Sequence, residues 1–186
     1  MRDVSRYLNH TVAALLALVM YSIPVSAAET RLDTLFSQLD SAGPEESRRI
    51  ASEIQLEWAK SGSPAMDLLL RRGEDALEAG DTAMAVEHLS AAIDHAPGFA
   101  EAWHLRSVAF FRQEHYGLAL NDLARVITLE PRHFNALFGM GRVLEETGRL
   151  TLAHEAFERA QAIHPHLETV SEALKRVSRG MGGTDL

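Results

Sequence analysis

Apolar residues along this chain recur at every third or fourth position, as on one face of a helix, and no periodic stretch alternates as a strand would. The first two stretches span Leu32–Leu39 and Ile50–Trp58. Pro44 precedes two glutamates and predicts the start of the second helix, because proline fits the first turn and carboxylates favour its positive end. The pattern predicts an all-α protein of about nine helices in antiparallel pairs.

A period of 34 residues organises the rest of the chain. Pro97, Pro131 and Pro165 stand 34 residues apart. Counting back from each proline gives three units, residues 66–99, 100–133 and 134–167. Proline cannot continue a helix and steers the preceding residue out of helical geometry, so it separates one unit from the next. A fixed period of this length indicates a repeat architecture.

Equivalent places of the three units carry side chains of similar size. The eighth and twentieth places are small and the twenty-fourth is large and apolar, which suits antiparallel helices that cross closely. In unit order, these places hold Gly73, Ser107 and Gly141, then Ala85, Ala119 and Ala153, then Leu89, Leu123 and Phe157. We expect the three alanines to be buried at helix crossings.

The repeated residues resemble the tetratricopeptide repeat, whose pattern runs Trp or Leu, Gly or Ala, Tyr, Ala, Phe, Ala and Pro at such places. The resemblance covers residues 66–167. It implies an α-solenoid of antiparallel helix pairs with a C-terminal capping helix. Segments such as Leu129–Phe134 look like those of exported bacterial tetratricopeptide proteins of the alphaproteobacterial type, and that likeness implies no particular biochemical role.

Two features depart from the family pattern. Gly80 and Gly148 suit the turn inside the first and third units, whereas the middle unit has Glu114, so its turn must close differently or at some cost. At the seventh place, usually leucine, stand Arg72 and Arg106. We expect each arginine to lay its stem on apolar neighbours while its head stays in water.

The segments outside the three units are also assigned. Residues 29–65 are predicted to form an N-terminal helical pair, either a degenerate fourth repeat or a capping pair. Residues 168–179 place Val170, Leu174 and Val177 on one helix face and are predicted to be the solvating cap that open repeat stacks need. Residues 180–186 are predicted to be a disordered tail.

The first 28 residues have the layout of a secretory signal peptide. Arg2 and Arg6 precede an apolar run, and the small residues Ser26, Ala27 and Ala28 follow Pro24. The run of about ten residues is roughly half of what a spanning helix requires, which favours cleavage after Ala27 or Ala28, with preference for Ala28. An uncleaved N-terminal anchor is the alternative.

Composition narrows the possible partners and chemistry. The chain has 186 residues, 46% of them apolar, no cysteine and a formal charge of -8. An excess of carboxylates argues against nucleic acid as a partner, because phosphates would be repelled. The absence of cysteine excludes disulfides, thiolate metal sites and a cysteine nucleophile.

No motif for catalysis is visible, so we predict no catalytic residue. The sequence has no Ser/His/Asp order and no phosphate-binding loop. The tightest histidine pair, His164 and His166, straddles a proline, whereas a metal site needs three or four converging ligands. His133, near a unit boundary, is expected to cap a helix or pack. We therefore expect neither a metal nor another cofactor.

The resemblance implies that the first helix of each unit lines a concave groove that binds protein. Phe111 and Phe138 would supply aromatic anchors, and Arg112 and Arg142 could fork onto carboxylates. The groove residues carried over from the family are Leu70, Glu74, Glu101, His104, Val108, Phe111, Arg112, Asn135, Phe138 and Arg142. Leu70 and Glu74 occupy places where chaperone-tail-binding members have Lys and Asn, so that specificity is not supported.

These features favour a periplasmic, non-catalytic scaffold or adaptor that holds an extended peptide or a partner helix in its groove. After processing, no stable membrane insertion is expected, and the sequence does not identify the protein or peptide partner. The alternative is a membrane-tethered accessory subunit for envelope assembly that keeps its signal segment. An enzyme with an unrecognised site is the third hypothesis.

Overall fold

The computed structural model describes residues 30–182, which contain nine α-helices and no strand. The helices are α1 (Arg31–Ser41), α2 (Pro44–Trp58), α3 (Pro64–Glu78), α4 (Thr82–His95), α5 (Ala100–Arg112), α6 (Tyr116–Leu129), α7 (Phe134–Glu146), α8 (Leu150–Ile163) and α9 (Glu168–Gly182). The three predicted units correspond to the pairs α3–α4, α5–α6 and α7–α8. The predicted all-α architecture is confirmed.

The two helices of a unit approach each other most closely at the small residues. A Cβ atom added to Gly73 would lie 2.5 Å from Leu89 Cγ, and one added to Gly141 would lie 2.4 Å from Phe157 Cε1. Both distances are shorter than van der Waals contact, so the missing side chain permits this packing. The alanines of the twentieth place are fully buried, as expected: Ala85, Ala119 and Ala153.

The turns inside the three units share one backbone conformation. Gly80 and Gly148 have φ angles of 79° and 73°, and Glu114 adopts the same left-handed region at 60°. In the middle unit, His115 N donates to Phe110 O at 2.9 Å, as in a helix end closed by glycine. The middle turn thus closes like the others, at the conformational cost that a side chain meets there.

Arg106 does not keep its head in water, so that expectation is wrong. Its Nε and Nη2 donate to the two oxygens of Asp122 at 2.8 and 2.9 Å, and its Nη1 donates to Ser90 Oγ at 3.0 Å. The guanidinium carbon lies 4.9 Å from the ring centroid of Trp103. A buried carboxylate on α6 therefore draws the arginine inward, and the side chain links α4, α5 and α6.

Helices α1 and α2, which we call the N-terminal pair, pack on each other and on residues at the junction of the second and third units. Their apolar cluster includes Phe134 at the start of α7, and Ile163 and Leu167 pack against it. A degenerate repeat or an end cap would have the first unit as its neighbour. The pair does adjoin the first unit, because α2 lines a cavity with α3, but it also contacts the second and third units. Its own members of the cluster are Leu35, Phe36, Leu39, Ile50, Ala51, Ile54 and Trp58.

The final helix extends three residues beyond its predicted end. Helix α9 continues to Gly182, and Met181 packs against the apolar cluster of the third unit. The prediction of a disordered tail is therefore wrong for residues 180–182, because this last turn still has an apolar surface to cover. Residues 183–186 lie outside the described residues, as does the predicted signal peptide of residues 1–28.

Within residues 30–182, no helix combines the length and the apolar character needed to cross a lipid bilayer.

Candidate functional site

The first helices of the second and third units enclose an apolar cavity of about 270 Å³, which we call the inner pocket. Its lining comes from α5, α6 and α7: His104, Ser107, Val108, Phe111, Leu123, Asn135, Phe138, Gly139, Arg142 and Val143. The structure thus brings together six of the residues predicted for the groove: His104, Val108, Phe111, Asn135, Phe138 and Arg142.

Two aromatic rings form the apolar walls of the inner pocket, and both are half-buried. The Phe111 ring packs against Tyr116 with centroids 5.8 Å apart, and the Phe138 ring packs against Phe157 at 5.6 Å. These contacts hold the rings in place before any ligand arrives. A wall ordered in advance costs less conformational entropy on binding.

Arg142 provides the positive charge at the inner pocket. Its side chain is 40% exposed, and its Nη2 lies 3.9 Å from Glu146 Oε1, beyond hydrogen-bond distance. The guanidinium carbon lies 5.7 Å from the ring centroid of Phe111. The planar group therefore stands beside the aromatic wall with donors that could bind a carboxylate or a carbonyl of a ligand.

A carboxylate and two histidines connect the inner pocket to the start of α7. Glu101 Oε1 lies 3.0 Å from His104 Nδ1, and Glu101 Oε2 lies 2.9 Å from His133 Nε2. Burial alone would raise the pKa of Glu101, but the two histidines lower it well below its usual range. The carboxylate is therefore ionised and occupied inside the protein, so Glu101 does not offer a free ligand-binding group.

His133 has both ring nitrogens in hydrogen bonds and is fully buried. Its Nδ1 accepts from Ala136 N at 3.1 Å and so caps α7. Its ring also stacks on Trp58, with centroids 3.9 Å apart and an interplanar angle of 8°. Burial lowers the pKa of His133, and the bond to Glu101 offsets this only in part. The structure thus confirms that His133 caps and packs.

Glu101, His104 and His133 also present three possible metal ligand atoms within 4.8 Å of one another, a grouping that sequence reasoning missed. Because His133 Nδ1 accepts a hydrogen bond, the ring proton sits on Nε2 and points at Glu101. A metal on Nε2 would move this proton to Nδ1, where it would face the amide hydrogen of Ala136. The donor set therefore fits a hydrogen-bond network and does not fit a metal ion.

The two residues of the first unit that were predicted to line the groove, Leu70 and Glu74, do not line the inner pocket. Leu70 is 1% exposed and belongs to the core of the first two units, so it offers almost no surface to a ligand. Glu74 is half-buried, and its pKa is raised by burial and by the neighbouring charge of Glu101. Both residues line a cavity together with residues of α2, including Gln55 and Leu56. Helix α2 therefore lies beside this part of the predicted groove.

Arg112 also has a different role from the one predicted. Its Nη1 donates to the backbone oxygen of Leu77 in the last turn of α3. This carbonyl also accepts from Gly80 N at 3.1 Å, so Arg112 adds a second hydrogen bond to it, and the cation complements the dipole at the C-terminal end of α3. Arg112 therefore joins the first unit to the second, and it is not among the residues that line the inner pocket beside Arg142.

Some pocket residues could not be picked out from the sequence pattern. Ser107 and Leu123 occupy the eighth and twenty-fourth places, where the repeat pattern indicates only packing between helices. Ser107 Oγ donates to His104 O at 2.6 Å, so its small side chain leaves space open towards the pocket. Gly139 and Val143 lie one residue beyond Phe138 and Arg142, on a neighbouring stripe of α7.

Comparison with known proteins places this architecture in a family. A family model described as the tetratricopeptide repeat matches residues 70–116 and 105–168. A tetratricopeptide repeat-containing protein of Rhizobium etli is 36% identical over 159 residues, which cover 85% of this chain and 78% of that protein. DnaJ homolog subfamily C member 3 of Rattus norvegicus is 31% identical over 122 residues, and the match covers only 24% of its length.

Solved structures show the same fold. The first tetratricopeptide domain of Spaghetti (RPAP3), bound to an HSP90 peptide, matches with a TM-score of 0.63 at 19% identity, covering 64% of this chain and 95% of that one. MamA matches with a TM-score of 0.61 at 21% identity, covering 82% of this chain and 85% of that one. Because the chain has this fold and this repeat period, and because the family model spans most of the three units, the chain belongs to the tetratricopeptide repeat family.

Proposed function

We propose that this protein is a non-catalytic scaffold or adaptor that binds a protein or peptide through the inner pocket. The observation that carries the proposal is the convergence of Phe111, Phe138 and Arg142 from two successive units on one cavity. Central aromatic and arginine side chains usually supply most of the affinity at a protein interface. Related folds solved with HSP90 and Hsp70 peptides support peptide binding as the general mode.

The particular specificity of those chaperone complexes is not part of the proposal. Leu70 and Glu74 stand where chaperone-tail binders have Lys and Asn, and Leu70 is buried. The inner pocket instead offers an apolar cavity beside a single arginine. This combination suits a partner segment with an apolar anchor and a nearby carboxylate or carbonyl acceptor.

We also propose a periplasmic location, on the strength of the predicted signal peptide of residues 1–28. A processed chain would leave the cell with the osmotic-shock fraction and would begin near Glu29. A tethered accessory subunit would stay with the membranes at full length. Fractionation combined with N-terminal sequencing separates these two outcomes.

Proximity labelling in living cells would name the partner, and purified proteins would then test the pocket. Phe138→Ala combined with Arg142→Ala should weaken binding at least about tenfold, or roughly 1.4 kcal/mol. Because Phe138 also packs on Phe157, Arg142→Glu alone provides a variant that leaves the apolar packing intact. The matched control is Glu87→Ala with Arg125→Ala, both exposed on second helices.

Circular dichroism must show the same helix content in all variants. Binding that survives both pocket changes and is lost with Glu87→Ala and Arg125→Ala would place the partner on the opposite surface and overturn the proposal.

A further inference from the structure

The N-terminal pair is held on the repeats by a small set of side chains. Trp58 stacks on His133 and lies 5.1 Å from the ring centroid of Phe134. Asp33 pairs with Arg132 at 2.9 Å, and the Arg132 guanidinium lies 4.3 Å from the ring centroid of Phe36. We call this set the docking contact. It consists of one aromatic stack, one half-exposed ion pair and a few apolar neighbours.

One member of the docking contact, Trp58, has a buried polar atom without a hydrogen-bond partner. Among residues 30–182, three buried side-chain polar atoms have no hydrogen-bond partner: Ser47 Oγ, Trp58 Nε1 and His164 Nδ1. Trp58 and His164 both lie 5.1 Å from Phe134, and Ser47 is on the buried face of α2. A buried polar atom without a partner costs free energy, and undocking would recover this cost at Trp58, because its Nε1 would then meet water.

The connection to the first unit suits movement of the pair. Residues 59–63 join α2 to α3, and Gly62 has a φ angle of 82°. Ser61 donates to Asp67 Oδ1 from its backbone nitrogen at 2.8 Å and from its hydroxyl at 2.6 Å. The connection is therefore fastened to α3, and rotation near Trp58 would leave the helices of the first unit undisturbed.

The surface beneath the pair is joined to the inner pocket. His133, on which Trp58 stacks, is bonded to Glu101, and Glu101 is bonded to His104 in the pocket wall. The His104 and His133 ring centroids are 4.8 Å apart. An apolar ligand segment that left the pocket along this wall would meet the surface now covered by Trp58.

We propose that the N-terminal pair is a reversible cover of a second binding surface, built from Arg132, His133 and Phe134. The pair undocks as a unit while the three repeats stay folded. The uncovered surface then takes an amphipathic partner segment that offers an aromatic ring to His133 and a carboxylate to Arg132, as Trp58 and Asp33 do in the covered state. The role of this surface in capturing a partner rests on the proposed function, whereas the undocking does not.

Hydrogen exchange of the full chain tests the undocking. In Trp58→Ala, the amides of α1 and α2 should exchange at least tenfold faster than in the unmodified chain. Those of α5 and α6 should change less than twofold, because local opening spares the repeats. Leu56→Ala is the matched control, since Leu56 is on the same helix and 65% exposed. Equal acceleration in all helices would show one cooperative unit and overturn the cover.

A peptide with the sequence of residues 31–60 tests the uncovered surface without an unknown partner. Fluorescence anisotropy should show that the labelled peptide binds the Trp58→Ala chain at least tenfold more tightly than the unmodified chain, whose own pair competes. A peptide that carries Trp58→Ala should lose this binding. Equal affinity of the peptide for both chains, or binding to neither chain, would contradict the proposed second binding surface. The inner pocket is tested separately, by the substitutions of Phe138 and Arg142.

Discussion

At the scale of single residues, the turn inside the middle unit places a residue other than glycine in the left-handed conformation. Gly80 and Gly148 reach positive φ without a Cβ atom, whereas Glu114 reaches φ 60° with one. The left-handed conformation costs an ordinary residue about 1 kcal/mol, and glycine loses part of this advantage because its unfolded chain is more flexible. The middle unit therefore carries a local strain that its neighbours lack.

Glu114→Gly should raise the free energy of unfolding by about 0.5 to 1 kcal/mol, because the turn would keep its hydrogen bonds without strain. Urea denaturation followed by circular dichroism measures this change. The matched reversal is Gly148→Ala, which puts a Cβ atom at φ 73° and should lower stability by about 1 kcal/mol. A loss of stability in Glu114→Gly would show that the carboxylate itself supports the turn.

At the scale of helices, sequence predicted the arrangement wherever the repeat period sets the contact. The small residues at Gly73 and Gly141 meet Leu89 and Phe157 as their places in the unit require. The bond from Arg106 to Asp122 was not predictable in this way. The places that correspond to Asp122 hold His88 and Ala156 in the other units. The repeat pattern therefore does not predict an ion pair between Arg106 and Asp122.

Asp122→Ala should lower the free energy of unfolding by about 3 kcal/mol, because it leaves Arg106 largely buried without a counter-charge. Exchanging both partners, with Arg106→Met and Asp122→Leu, should restore most of this loss, since apolar side chains need no pairing. Glu158→Ala, which removes an exposed partner of His154, should leave the denaturation midpoint nearly unchanged. A small effect of Asp122→Ala alone would mean that the arginine turns outward to water.

At the scale of the whole molecule, the sequence predicted the stack of three units and left the position of the N-terminal pair open. The period fixes neighbours within residues 66–167, and the pair lies outside it. Its docking depends on side chains that the period does not relate to one another, such as Trp58 and His133. The same limit applies to the site: the family resemblance implied that Phe111 and Phe138 share one groove, but it could not show that Arg112 turns to α3.

Acid should lower the free energy of unfolding, because the folded protein holds its buried histidines in the neutral form. Burial lowers the pKa of both His133 and His164, so protonation is easier in the unfolded chain than in the folded one. Stability from these groups is present above the unfolded pKa of about 6.5 and is lost as the pH falls through the lower folded values. Denaturation midpoints should therefore decrease steadily from pH 7.5 to pH 5.

His133→Asn separates this titration from the structural role of the side chain. Asparagine can still accept the hydrogen bond from Ala136 N as a helix cap, but it does not titrate in this range. The variant lacks the ring that stacks on Trp58, so it should be less stable than the unmodified chain at pH 7.5. Its denaturation midpoint should then fall less steeply towards pH 5. Leu56→Ala, a change of a non-titrating side chain that is 65% exposed on α2, is the control, and its pH profile should match that of the unmodified chain. An unchanged slope in His133→Asn would assign the acid sensitivity to other groups.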